Sequence, residues 1–437
     1  MDPNATGIAD QKTAAALPAS APRLSDVSGR QWKTGIAAWL GWFFDGLDMH
    51  LYTLVAAPFV AQLLGEANPA DAGVKKYSSW IQASFLIGWA LGGGFFGRVG
   101  DRIGRSRALS LTILTYAAFT GLSFFAQTWW QLLIFRFVSA LGIGGEWAVG
   151  ACLLSETWPK AWGPWVAAVL QTAVNLGVLF ACLIAHQLAG VPYRFVFLVG
   201  IIPALIVFWI RRQVPEPEEW LEAKREGERS RQPSKAAPGI GALFRGRLRF
   251  TTLMTILVCS LTLSGWWAFL FWHPQHLQSL PELASWSEMA KRQLVAKVFF
   301  LVIAVSIAGN YFSSWLATMM GYRRAIMLCS VAFAGAIFEA YHIPRSHQSL
   351  LVWLAAIGFC GGMFGLFTMY MPPLFPTLLR TTGAGFCYNI GRIAAAGGTV
   401  IFGLLLQVAD FRTALLSTAV LFVLAAGAAA FLPEGEG

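Results

Sequence analysis

An apolar stretch running from Gly35 to Ala61 carries two carboxylates, Asp45 and Asp48, near its middle. About 20 residues rising ~1.5 Å each cover a ~30 Å hydrocarbon core, so this stretch is long enough to cross a bilayer as one helix. An ionisable side chain at that depth is costly unless it faces protein, water or a counter-charge, and it marks function by default. Spaced i, i+3, the two acids share one helix face, and Tyr52 continues that face one turn on. Composition agrees with a membrane setting. The 437 residues are 56% hydrophobic and only 12% charged, and the mean hydropathy is +0.58. A soluble protein needs about twice that charge fraction to cover its surface. The formal net charge of +10 would point to nucleic acid in a soluble chain, whereas here the basic residues follow the loops and no nucleic acid is expected.

Twelve apolar spans can be marked, at about 33–60, 78–98, 106–126, 129–152, 163–188, 193–211, 249–272, 293–316, 323–343, 349–371, 382–407 and 411–432. A polar linker, 212–248, divides them six plus six. The expected organisation is a tail (1–32), a first six-helix bundle (33–211), the linker, a second six-helix bundle (249–432) and a short tail (433–437). Lys and Arg concentrate in the tail, the linker and the loops on the same side as these, which by the positive-inside rule makes both termini cytoplasmic. The first apolar run is too long and too acidic for a cleavable signal. Six cysteines, Cys152, Cys182, Cys259, Cys329, Cys360 and Cys387, all lie in apolar segments without C-x-x-C spacing and read as reduced packing residues.

The halves repeat weakly. Trp158-Pro159 followed by Asn175-Leu176-Gly177 is echoed by Phe375-Pro376 followed by Asn389-Ile390-Gly391. Gly97–Arg107, GRVGDRIGRSR, has a worn counterpart in Ser314–Arg324, SWLATMMGYRR. Paired halves of this kind suit alternating access with a site at their interface. Twelve spans in two sixes, with GRVGDRIGRSR between spans two and three, resemble the major facilitator superfamily over the whole chain. The stretches AAWLGWFFDGLDMHLY (37–52), RFVSALGIGGEW (136–147), SETWPK (155–160) and GFCYNIGRIAA (385–395) resemble its proton-coupled organic-anion branches, which carry sialate, aromatic acids or monocarboxylates.

Against that background each intramembrane polar residue has two readings. Asp101, Arg102, Arg105 and Arg107 sit in a tight turn. The resemblance implies a gate there, in which the acid holds a helix terminus or a neighbouring Arg. Simple positive-inside topology would explain the arginines alone. The second copy has Thr318 in place of the acid, which leaves a matching latch without its charge. Arg136 and Asp48 fall at nearly the same depth, so Arg136 can pair with Asp48 or Asp45, either as a static ion pair or as a proton-controlled one. The resemblance makes Glu146 a relay candidate, although Gly142, Gly144 and Gly145 beside it also read as close helix packing. Glu156 reads as a turn cap. Arg392, near the midplane of span eleven with Tyr388 and Asn389, is the first choice for a substrate carboxylate, because a guanidinium presents a bidentate fork. Pairing with Asp45 or Asp48 is its alternative. Gln171 and Asn175, i, i+4 on span five, would add uncharged hydrogen bonds or serve as a polar helix contact. Trp266, Trp267, Phe364 and Tyr370 could line a cavity. Lys297 is placed to snorkel outward. The histidines form no convincing metal set, and no catalytic triad, nucleotide loop or zinc signature occurs.

The reading is an all-α membrane protein of two six-helix bundles, a secondary transporter and not an enzyme. It needs no cofactor or metal, and works as a monomer in the cell membrane. Its partners are protons, a small organic anion and the lipid bilayer. A multidrug or metabolite exporter of the same fold and a transport-inactive membrane sensor are the alternatives.

Overall fold

A computed structural model describes residues 23–66, 72–187, 192–229, 239–405 and 410–434. These residues form helices and turns, with no strand among them. In chain order the α-helices are α1 (Gly29–Leu64), α2 (Ala72–Ile103), α3 (Arg105–Ser123), α4 (Trp129–Thr157), α5 (Gly163–Gln187), α6 (Val196–Val199), α7 (Ile202–Gln213), α8 (Glu218–Arg229), α9 (Gly246–Gln278), α10 (Glu288–Met320), α11 (Tyr322–Tyr341), α12 (His347–Cys360), α13 (Leu366–Tyr370), α14 (Arg380–Leu405) and α15 (Phe411–Ala429). The tail residues 1–22 and the side chains of Tyr52, Cys182 and His186 lie outside the described set.

Polar caps set the helix starts. Ser28 accepts from the Gln31 amide and Gln31 reaches back to the Ser28 amide, a capping box that starts α1 about a turn before the expected boundary at 33. Thr128, Ser287, Ser346 and Asp410 cap α4, α10, α12 and α15 with a side-chain oxygen that accepts one backbone N–H each. The amide and hydroxyl of Thr413 hold the Asp410 carboxyl below the usual carboxylate range. On the loop between α9 and α10, hydrogen bonds from His347 do the same for Glu282.

Seven stretches among the described residues are apolar and long enough to cross a membrane: Trp129–Thr157, Lys160–Ala181, Gly246–Gln278, Gln293–Met320, Tyr322–Tyr341, His347–Tyr370 and Phe411–Ala429. These seven are counted among the described residues alone, whereas the sequence reading expects twelve over the whole chain. α1, α2 and α14, with 36, 32 and 26 residues, are also long enough to cross a membrane. Phe95, Phe125, Leu205, Met319 and Val352 are exposed on the outer surface. Large apolar side chains displayed so freely belong against lipid. The protein is a multi-pass, all-α membrane protein.

Packing groups the helices by sequence half. α2 and α3 lie against α4, and α1 against α5. In the second half α9 lies against α14 and α15, α11 against α15, and α10 against α12. Across the halves α2 meets α14 and α5 meets α10. Glycines set the closest approaches. A Cβ on Gly46 would lie 2.5 Å from the Val174 carbonyl oxygen, and Gly177 is pressed in turn against the Phe43 carbonyl, so α1 and α5 meet backbone to backbone twice. Gly88 and Gly92 sit against the Phe137 and Leu141 carbonyls of α4, and Gly358 and Gly362 against α10, as the GxxxG spacing predicts.

The turn repeat is visible in the backbone. Gly104 (φ 107°) and Gly321 (φ 83°) each occupy a conformation costly for other residues, immediately before α3 and α11. The face that carries these two turns also carries α8 of the linker and is called the linker end below.

Candidate functional site

A cavity of about 280 Å³ lies between the two halves of the chain. α1 contributes Trp42, Asp45 and His50 to its wall, α2 contributes Trp89, α4 Trp147, and α5 Gln171 and Asn175. From the second half come Trp266 and Trp267 of α9, Ser306 and Asn310 of α10, Phe364, and Tyr388 and Arg392 of α14. Of the four aromatics expected around a cavity, Trp266, Trp267 and Phe364 are there. Tyr370 instead faces the linker end, where its hydroxyl donates to the Pro433 carbonyl at 2.5 Å.

Arg392 is held flat. Its guanidinium carbon stands 3.7 Å from the Trp89 ring centroid and 4.8 Å from that of Tyr388, and its Nη1 donates to Asn389 Oδ1 at 2.8 Å. Tyr388 is backed by Trp147, stacked at 4.1 Å and 13°. Among the described residues the guanidinium thus meets aromatic faces and an amide, with the Asp45 charge within electrostatic reach. Asn389 is not part of the cavity wall. It accepts from Arg392, donates to the Gly385 carbonyl at 2.7 Å, and is pressed against Gly93 of α2, so it orients the arginine. Asn175 lines the cavity, but its Nδ2 already donates to Ser306 Oγ at 2.5 Å and to the Ile303 carbonyl at 3.3 Å across the halves. It is a polar helix contact first. Gln171 stands on the wall one turn away.

The two acids of α1 separate into different settings. Asp48 is buried behind the wall and accepts from Arg136 Nη1 at 3.1 and 3.3 Å. The Arg136 guanidinium also lies 4.8 Å from the Phe85 ring, and its Nη1 is 3.4 Å from Thr120 Oγ1. Of the two pairings open to Arg136, the Asp48 one forms. Asp45 faces the cavity and shares a contact with the carboxyl of Glu146. Glu146 is fully buried, and neither oxygen accepts from a protein donor. It fits there because Gly41 of α1 has no side chain: a Cβ would collide with its Oε1. Gly41→Ala should therefore lower thermal stability by about 1–3 kcal/mol as an overpacking change. Gly94→Ala, with open space around the added carbon, should leave it unchanged. Thermal melts of the two purified variants check this.

The linker end is closed by a buried charge network. Asp101 accepts from Arg105 Nη1 at 3.1 Å, and from the Thr381 and Thr382 amides at 3.4 and 2.9 Å where α14 begins. Asp101 thus bonds both a neighbouring Arg and the start of a helix from the other half. Burial pushes its carboxyl above the ordinary range, and Arg105 and the Thr382 donors offset part of that rise. Arg105 forks onto Glu156 at 2.8 and 2.9 Å and donates to the Thr377 carbonyl at 2.7 Å. Glu156 also takes Arg380 at 3.2 Å. Arg102, expected in this cluster, is exposed and outside it, because its place in α2 turns it away from α14. In the second copy Thr318 is exposed and donates to the Trp315 carbonyl of its own helix, while Tyr322 approaches Gly163 at the start of α5.

Several parts of this cluster escaped sequence reasoning. Glu156 is its hub rather than a turn cap. From α8, Trp220 Nε1 donates to the Asp101 carbonyl at 3.1 Å and Glu219 takes Arg380 at 2.8 Å. Glu216 accepts from the Ser106 and Arg107 amides at 3.1 and 3.0 Å and caps α3. The one signal was Trp220, a tryptophan in the most highly charged part of the linker. Elsewhere, Lys297 is exposed. No group of His, Cys, Asp and Glu among the described residues has metal-site geometry. Cys152, Cys259, Cys329, Cys360 and Cys387 are free thiols.

Comparison with known proteins gives a consistent picture. The sequence model of the Major Facilitator Superfamily matches residues 38–338. A probable 4-methylmuconolactone transporter of Cupriavidus pinatubonensis is 33% identical over 86% of this chain and 84% of its own. The sialic acid transporter NanX of Escherichia coli is 27% identical over 85% of this chain and 86% of its own. Among solved structures, the proton:xylose symporter XylE bound to 6-bromo-6-deoxy-D-glucose superposes with a TM-score of 0.71 at 17% identity, covering 92% of this chain and 95% of that one. These relatives are transport proteins, and none is an enzyme.

Proposed function

Since the chain belongs to the Major Facilitator Superfamily, we propose that it is a proton-coupled symporter importing a small organic anion, a carboxylate, by alternating access. One observation carries the reading: a guanidinium from the second half, Arg392, and a carboxyl from the first half, Asp45, face one cavity, with Glu146 buried behind Asp45. The substrate carboxylate binds Arg392, with Tyr388 beside it, Asn389 orienting it, and Gln171 and Asn175 on the opposite wall. That arrival brings a second negative charge near Asp45, and a proton on the Asp45–Glu146 pair removes the repulsion. Anion and proton therefore enter together. Arg136 and Asp48 hold α1 to α4 beneath this site. Asp101 and Arg105, with Glu156 and Arg380, are the gate that keeps the linker end shut while the site loads from the other side. In this reading twelve spans form two bundles, 33–211 and 249–432. The linker end is cytoplasmic, the protein resides in the inner membrane, and one chain is the working unit. The names of relatives that carry sialate and a muconolactone support an organic acid as cargo.

Uptake of radiolabelled aromatic acids, lactate and sialate into proteoliposomes, with and without an inward proton gradient, tests the reading. Gradient-stimulated accumulation of at least one acid is expected, and absence of any gradient effect overturns it. Orientation has its own check. In a cysteine-less background, a cysteine at Ser285 should react with an impermeant thiol reagent on intact cells, and one at Glu222 only after permeabilisation. Labelling of Glu222→Cys on intact cells would reverse the assignment.

A further inference from the structure

Three arginines, Arg245, Arg247 and Arg249, stand at the start of α9, and all are exposed. Elsewhere at the linker end Arg105, Arg323 and Arg380 are each paired with an acid. Around the start of α9 there is no acid to take. No Asp or Glu occurs between Gly239 and Pro281, and neither α14 nor α15, the helices packed on α9, contains one. Among the described residues the three side chains make no ion pair or hydrogen bond. The elbow that displays them is fixed. A one-turn helix, Ile240–Phe244, leads into it, where Leu243 is fully buried and its carbonyl accepts from the Thr252 hydroxyl at 2.9 Å. Phe244 meets Phe386 of α14 edge-on at 5.9 Å and 86°, and Gly246 makes the bend with a φ of 54°. Above the arginines α9 shows an apolar stripe. Phe250, Leu253 and Leu257, at i, i+3 and i+7, are 54%, 41% and 40% exposed. Arg247 is three residues before Phe250 and Arg249 four before Leu253, so both stand at the foot of that stripe. Ile240 and Phe244 add two exposed apolar side chains just before the elbow.

We infer that this elbow binds one anionic phospholipid, its phosphate held by Arg245, Arg247 and Arg249 and an acyl chain laid along Phe250, Leu253 and Leu257. The occupant follows from the two surfaces together. Any bilayer covers an apolar stripe on a spanning helix with acyl chains. What is particular here is three cations at the level where the stripe ends and headgroups begin, with no protein acid to neutralise them. A guanidinium forks onto phosphate oxygens, and its apolar stem lies along the stripe while the charged end stays at the interface. A headgroup with its own ammonium brings a repelling charge to the three arginines, so a net-negative headgroup is selected. The seat bears on the transport cavity as well. α9 carries Trp266 and Trp267 of its wall, and Gly391 on the helix of Arg392 is wedged against Cys259 of α9. A lipid held at the foot of α9 braces that half of the protein, whichever acid is carried.

The test places a fluorescent label on a single cysteine in the full-length, cysteine-less protein. Bilayers contain phosphatidylethanolamine and phosphatidylglycerol, with brominated, quenching chains on one or the other. The cysteine replaces Leu253, one turn above Arg249, or Leu328 of α11, one turn above Arg324. Both positions are exposed, but beside Arg324 the neighbouring Arg323 is already taken by Glu434. At Leu253→Cys the apparent affinity for phosphatidylglycerol should exceed that for phosphatidylethanolamine by roughly fivefold, the effect of one basic residue near an anionic surface. At Leu328→Cys the preference should stay below about twofold. Replacing all three arginines (Arg245→Gln, Arg247→Gln, Arg249→Gln) should remove the preference at Leu253→Cys and leave quenching at Leu328→Cys unchanged. Equal preference at the two positions overturns the inference, because it marks only the general attraction of a basic membrane face. A preference at Leu253→Cys that survives the triple change overturns it too, as does no preference at either position. The comparison of the two positions needs no arginine variant, so it decides the matter even if the triple variant inserts poorly.

Discussion

Arg392→Gln should weaken binding of the transported acid by roughly 10- to 100-fold, the equivalent of about 1.5–3 kcal/mol for a charge-assisted hydrogen bond. Arg392→Lys should fall between Gln and wild type. Lysine keeps the charge, but it loses both the planar fork and the stacking on Trp89 and Tyr388 that aims it. An uncharged amide analogue of the substrate should lose its disadvantage in the Gln variant. If Arg392 instead serves only to balance Asp45, then Arg392→Gln combined with Asp45→Asn should recover binding of the acid. Titration of acid and amide ligands against the four proteins separates these outcomes, and recovery in the double variant would falsify the ligand role.

Asp45 and Asp48 should respond in opposite ways to the same change. Asp48→Asn removes the carboxylate that faces Arg136 deep in the protein. Breaking a buried pair from one side typically costs about 3–5 kcal/mol. The variant should be poorly expressed or melt much earlier, and replacing Arg136 with Met as well should restore folding. Asp45→Asn removes no such partner. It should fold normally and bind substrate, yet fail to accumulate it against a gradient when driven by protons. Melting temperatures and gradient-driven uptake of both variants, measured side by side, decide the matter. Proton-driven accumulation intact in Asp45→Asn would remove that residue from the coupling site.

Much of this architecture was legible because membranes narrow the choices. Helices were the only spanning element open to a chain of this composition, and the glycine spacings at Gly88–Gly92 and Gly358–Gly362 forecast where helices touch. Depth arithmetic brought Arg136 and Asp48 to one level, and they do meet. It could not decide between Asp45 and Asp48 as the partner, because residues three apart on a helix differ by about 60° in direction as well as in height. The same limit hid the roles of Asn389 and Arg102, whose depth or loop position was right and whose direction was not. The contribution of α8 and the residues just before it was hidden for a different reason. Trp220, Glu219 and Glu216 act on residues far away in sequence, and a polar linker shows no periodicity that would announce those contacts. Trp89 was passed over because an aromatic in a membrane span has many ordinary places to go, and its ring contact with Arg392 is what singles it out.

The reciprocal glycine contacts between α1 and α5 bear on how any stroke of this machine is transmitted. Gly46 under Val174 and Gly177 under Phe43 leave no clearance for one helix to slide or roll on the other. Asp45, Gln171 and Asn175 therefore travel as a single block. On the other side Gly391 is wedged against Cys259, which ties the helix of Arg392 and Tyr388 to α9 in the same way. Each helix pair is rigid within itself, so any movement of one half against the other has to break the contacts that cross them, among them Arg392 on Trp89 and Tyr388 on Trp147. In the proposed symport, the quantity that links anion to proton is then the distance between the Arg392 and Asp45 clusters, set by the swing of whole bundles.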